Sequence, residues 1–136
     1  MRKRERHGDP RVMTKILDAS AALAVLRHER GSAQVVAALP DAAMSAVNAA
    51  EVMRVLVRAG ASPADARRAF ARLHLSLIPF SEQDVAAVAD MAHLTPRLSL
   101  GDCACLALSK RMGTEVLTAD RAWAGLELGI PVRLIR

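Results

Sequence analysis

Four carboxylates stand where a folded domain has little structural use for charge: Asp18 in KILDAS, Glu51 in NAAEVMRVL, Asp102 in LSLGDCACLAL and Asp120 in EVLTADRAW. Each lies among apolar or small residues, where a strand or loop gives way to a helix. The other ten acids stand mostly beside charged or turn-forming residues. If the four converge, their repulsion is severe unless a cation sits between them. Hard oxygen ligands of this kind suit Mg²⁺ or Mn²⁺. A divalent ion held that way is fitted to phosphoryl chemistry.

Each acid also has a plain structural explanation. Asp18 and Asp120 can serve as N-caps of the helices that follow. Glu51 comes three residues after Asn48, and Asp102 three after Ser99, both close to a capping box. Acids in a first turn gain roughly 0.3–1 kcal/mol from the helix dipole. Two features argue for more than capping. Glu51 shares a helical face with Val47 and Val55, and Asp102 with Cys105 and Leu106, whereas a cap needs no inward face. All four would also present their oxygens at one end of one sheet.

The elements that must position them alternate. KILD (15–18) reads as a short buried strand and 19–29 as a helix ended near Gly31. SAQVVAAL (32–39) is a second helix, stopped by Pro40. AAMSAV (42–47) reads as a strand, 48–60 as a helix and 62–75 as another. SLIPF (76–80) is a strand in which Pro79 argues for an edge or an end. Helices over 81–94 and 101–113, a strand over 114–120, a short helix over 121–129 and a last strand over 130–135 complete the chain. Such alternation predicts parallel pairing and right-handed crossovers. KIL and EVLT, apolar on both sides, fit a sheet covered on both faces. Ligands of such sheets bind beyond the carboxyl ends of the strands, where Asp18 and Asp120 fall.

The 136 residues fit one domain with one core. With 52% apolar but only 2% aromatic residues, that core must be aliphatic. The net charge of +5 is weaker than it looks as a nucleic-acid signal, because residues 1–12 hold five basic and two acidic side chains and so carry +3 of it. Those residues read as a basic tail, disordered or foreign to the native chain, with Met13 opening the domain over 13–136. A basic arm touching RNA is the rival reading. No run of about 18 apolar residues is present to span a membrane, and no apolar region follows the basic start as in a secretory signal. Cys103 and Cys105 suit neither a zinc knuckle nor a redox pair, and read as reduced helix residues of a cytoplasmic protein. The four histidines have no metal-ligand spacing.

LDASAAL, SAVNAAEV, LSLGDCACLALS and VLTADRAW, in this order, resemble the four acidic motifs of PIN domains, above all those of the VapC-type toxins of bacterial toxin–antitoxin pairs. The resemblance spans about residues 13–136. It implies a three-layer α/β/α sandwich with a central, mainly parallel sheet, and a Mg²⁺- or Mn²⁺-dependent endoribonuclease leaving 5′-phosphate and 3′-hydroxyl ends on structured RNA. It implies Asp18, Glu51, Asp102 and Asp120 as the acidic pocket, with Asp18 and Asp102 the most direct metal ligands. Ser20 and Thr118 would hold an acid or the scissile phosphate, and Arg121 and Trp123 recur in the pattern; packing is an equal reading of Trp123, and a surface ion pair of Arg121. Substrate grip is expected from arginines such as Arg67, Arg68 and Arg72 rather than from base stacking. The implied partners are a cognate antitoxin and a second copy of the chain.

Other readings are weaker. A phosphoacceptor receiver domain needs a lysine after its last acidic strand, and Lys3, Lys15 and Lys110 end no late strand. A dehalogenase-type phosphatase needs Asp-x-Asp where this chain has Asp18-Ala19-Ser20. A non-catalytic PIN-like interaction module would be expected to have lost acids, and all four are present. A PIN nuclease of RNA maturation is the nearest rival.

Overall fold

A computed structural model describes residues 13–136. The assignment of residues 1–12 as a tail lies outside the described residues. Strand β1 (Lys15–Leu17) leads into α1 (Ala19–Leu26) and α2 (Ser32–Ala38), then a 3₁₀ turn at Leu39–Asp41. β2 (Ala42–Ser45) is followed by α3 (Ala46–Arg58) and α4 (Pro63–Ala71), and β3 (Ser76–Ile78) by α5 (Glu82–Leu94) and α6 (Leu100–Met112). β4 (Glu115–Thr118), a 3₁₀ turn at Arg121–Gly125 and β5 (Val132–Leu134) close the chain.

The five strands form one sheet in the order β3-β2-β1-β4-β5, and every pairing is parallel. Alternation along each strand sends side chains to two separate cores. Leu17, Met44 and Leu117 join residues of α1 to α4 on one face. Ile16, Ala43 and Val116 join Met91 of α5 and Cys105, Leu106 and Leu108 of α6 on the other. This is the expected three-layer α/β/α arrangement. The chain steps outward from β1 to β2 and β3, then returns to the far side of β1 as β4. That reversal puts the topological switch point between β1 and β4, where ligands of open parallel sheets bind.

α6 is covered on nearly all sides: of Gly101 to Ser109 only Asp102 is less than buried. That explains why LGDCACLALS carries so few polar residues. Ser99 and Asp102 close a reciprocal capping box at its start, and Gly113 at φ 66° ends it.

Several boundaries differ from the sequence reading for local reasons. β2 stops at Ser45, whose hydroxyl accepts from the Val47 amide and turns the chain into α3 early. β3 stops before Pro79, which has no N–H for a ladder, and β5 begins after Pro131 for the same reason. The helix expected over 121–129 is only the 3₁₀ turn capped by Asp120.

Candidate active site at the switch point

Asp18 is the residue that leaves β1. Its backbone N–H donates to the Leu117 carbonyl of β4 at 3.2 Å, so it sits in the cleft where the two strands part. Its side chain is buried, with 6% of its surface exposed. Oδ1 accepts from Ser20 Oγ at 2.7 Å and from the Ala21 amide at 2.9 Å, while Oδ2 accepts from the Thr118 hydroxyl. The two hydroxyls are themselves held: Ser20 Oγ accepts from the Ala119 amide and Thr118 Oγ1 from the Asp120 amide. Ser20 and Thr118 thus hold Asp18, and Thr118 meets Asp120 only through its backbone amide. Burial pushes the Asp18 carboxyl above its usual range; the bonds from Thr118, Ser20 and Ala21 oppose this, and the nearby Asp102 charge adds to it.

Glu51 lies in the second turn of α3. Its Oε1 accepts from Asn48 Nδ2 at 2.8 Å, and the same amide nitrogen donates to the Gly101 carbonyl of α6 at 2.9 Å. Asn48 is therefore no capping residue, as its spacing from Glu51 had suggested: Ser45 caps α3, and Asn48 bridges two helices. Gly101 supplies the room, for a Cβ there would overlap the Glu51 carboxylate. Asp102 follows it in the first turn of α6, where Oδ2 accepts from the Ser99 amide at 3.2 Å.

The charges of these three acids all act on one buried thiol. Cys105 has no exposed surface, and burial lifts its thiol well above the ordinary value, helped by the charges of Asp18, Asp102 and Glu51. Cys103, also free and buried, is raised by burial and by Asp102. Asp120 stands apart in its bonding. Its exposed carboxylate accepts from the Ala122 amide at 3.0 Å and so caps the final 3₁₀ turn. Arg121 is exposed and makes no ion pair with a described residue, while Trp123 is packed in the second core.

The donor chemistry of Asp18, Glu51 and Asp102 is all hard oxygen, and neither Glu51 Oε2 nor Asp102 Oδ1 accepts a hydrogen bond from a described residue. Among the described residues no three His, Cys, Asp or Glu side chains form a ready-made metal cage. That is compatible with Mg²⁺, which is commonly bound by one or two carboxylates, waters and substrate phosphates. The buried Asp18 and the half-buried Glu51 and Asp102 fit such an ion by their donor chemistry.

A groove of about 890 Å³ lies elsewhere. It is lined by Ala42 and Ser76, the first residues of β2 and β3, together with Leu39, Arg72, Leu73 and His74. It therefore opens at the amino ends of the strands, opposite the acids. Arg72, one of the arginines expected to grip substrate, lines this groove. Arg68 is paired with Asp65 on its own helix.

Asn48 and Gly101 are the site residues that sequence reasoning missed. The available signal was Gly101 itself, since a glycine inside a first helical turn costs roughly 0.5–1 kcal/mol against alanine and calls for a close neighbour.

A doubly wound parallel sheet with one buried carboxylate, Asp18, at its switch point defines an α/β domain. The chain belongs to the PIN domain family, whose model matches residues 15–127. No curated protein sequence matches it. Among solved structures it is similar to a toxin–antitoxin complex from Klebsiella pneumoniae, with a TM-score of 0.72 at 20% identity over 90% of this chain and 98% of that one. VapBC2 from Rickettsia felis bound to a promoter DNA fragment gives 0.73 at 11% identity, over 90% and 98%. VapBC-5 from Mycobacterium tuberculosis gives 0.62 at 24% identity, over 90% and 97%. These likenesses establish the fold.

Proposed function

We propose that the chain is a divalent-metal-dependent endoribonuclease acting as the toxin of a toxin–antitoxin pair. The observation that carries this is the buried Asp18 at the switch point of a PIN-family fold, with Glu51 tied through Asn48 to the turn of α6 that carries Asp102. Asp18 and Asp102 are the metal ligands in this reading, with Glu51 completing the shell directly or through water; Asp120 is the outer member. Bound Mg²⁺ or Mn²⁺ supplies charge neutralisation at the phosphate and a lowered pKa for water. The chain's own contribution is to orient Asp18 through Ser20, Thr118 and the Ala21 amide, and to set Glu51 beside α6. Arg121, exposed next to Asp120, is the side chain assigned to backbone phosphates.

The antitoxin partner is supported by the similar structures being toxin–antitoxin complexes. Homodimer formation is part of the same proposal, with exposed Val85 and Leu94 on α5 and Leu100 on α6 offering apolar surface. No described helix is long and apolar enough to cross a membrane; action in the cytoplasm is part of the same proposal. The test is purified protein against a panel of structured RNAs, with and without EDTA, beside Asp102→Asn. Cleavage that requires metal and Asp102 supports the reading; full activity in EDTA or in Asp102→Asn overturns it.

A further inference from the structure

We propose that Asn48 is a positioning residue of the acid cluster: its amide fixes the Glu51 carboxylate and ties the first turn of α3 to the first turn of α6, which carries Asp102. The inference rests on the metal-site reading above and adds a residue to it. Asn48 is 2% exposed. Both hydrogens of its Nδ2 are engaged, one by Glu51 Oε1 at 2.8 Å and one by the Gly101 carbonyl at 2.9 Å. The opposite amide orientation would set an oxygen against two oxygens, so the bonding chemistry fixes which atom faces Glu51.

Helix capping does not account for the residue, because Ser45 already caps α3. Packing does not account for it either. Its Oδ1 is buried with no described partner, a desolvation penalty that an apolar side chain in the same place would avoid. What the amide gains in exchange is a double donor aimed at one carboxylate and one carbonyl from helices that meet only in the folded chain. Gly101 completes the device from the other side, since its missing Cβ is the space the Glu51 carboxylate occupies. Without Asn48, Glu51 keeps its place in the chain but loses the contact that orients it. Partners that orient metal-binding groups in this way typically carry 10–100-fold of metal affinity when removed.

The test is Mn²⁺ binding to the RNA-free protein, read by electron paramagnetic resonance, for the wild type, Asn48→Ala, Glu51→Gln and the double variant, with thermal melts alongside. Asn48→Ala is expected to weaken Mn²⁺ about tenfold, and to add no further loss once Glu51 is Gln, because a residue acting through Glu51 has nothing left to act on. If Asn48→Ala does not fold, Asn48→Ser, which keeps one donor, carries the same cycle with a smaller loss. Unchanged Mn²⁺ affinity, or losses that simply add in the double variant, would overturn the role of Asn48 alone. A wild-type protein that binds no Mn²⁺ would overturn the metal-site reading itself.

Discussion

Gly101 and Glu51 occupy mutually exclusive space: a methyl group on the glycine of α6 would overlap the carboxylate carried by α3. The overlapped atoms are the far end of a flexible side chain, so Glu51 gives way and the backbone does not. Gly101→Ala should therefore displace a carboxylate without unfolding the protein. Alanine is the better helix former by about 1 kcal/mol, so the melting temperature should hold or rise. RNA cleavage should fall roughly 10–100-fold. Rate measurements beside a circular dichroism melt separate the two effects, and undiminished cleavage would show that the placement of Glu51 does not matter.

Metal should act on stability as well as on rate. An ion bound by the folded chain alone stabilises it by about 2.7 kcal/mol at a hundred times its Kd. Mn²⁺ should raise the melting temperature of the wild type, and Asp102→Asn should abolish that shift. A shift that survives in Asp102→Asn would place the ion elsewhere.

A second buried acid has a different task. Asp84 accepts from Arg111 Nε at 3.0 Å and Nη2 at 3.1 Å, and from the Ser81 amide at 2.9 Å, tying the start of α5 to the end of α6. Burial acts to raise its carboxyl, but the bonds from Arg111 and Ser81 outweigh that and hold it below the usual value of 3.8. A depressed acid stabilises the fold fully above its unfolded pKa and loses that contribution as pH falls through the folded one. Asp84→Asn should cost about 2 kcal/mol at pH 7, less than the ~3–5 of fully enclosed pairs because Arg111 is partly open to solvent. The gap to wild type should close in acid melts as pH falls below 3.8 and through the folded value, with cleavage per folded molecule unchanged. A gap that persists there would mean the contribution is steric.

Much of this architecture could be read from residue order. KIL and EVLT are apolar on both sides because both sheet faces are covered, and LGDCACLALS is apolar all round because α6 is. Asp18 and Asp102 were visible as charges among apolar residues, although each also caps a helix. What was hidden depends on partners far along the chain. Thr118 serves Asp18 across 100 positions, and Asn48 reaches Gly101 across 53. Such bonds leave no local pattern, so Asn48 looked like a cap for Glu51. The spacing of Arg72 showed a basic helix face but not which end of the sheet that face reaches.

The burial of Asp18 makes its charge a burden on the metal-free fold. Desolvation raises its carboxyl above 3.8, so the folded chain holds that proton more tightly than the unfolded chain does. Stability from this group is then present at low pH and falls as pH rises from about 3.8 to the folded value, after which the loss stays constant. Asp18→Asn removes the charge and keeps most of the contacts. Asn caps helices as well as Asp, its Oδ1 still accepts from Ser20 and Ala21, and the Thr118 hydroxyl, which now donates to Oδ2, can turn to accept from an amide hydrogen. At pH 7 without divalent ions, Asp18→Asn should melt above the wild type, and the difference should shrink as pH approaches about 4. Saturating Mn²⁺ should raise the wild type alone and reverse the order, while cleavage by Asp18→Asn is lost. A wild type that is the more stable protein in EDTA at neutral pH would show that the charge is accommodated without an ion, and would remove the physical reason for placing one there.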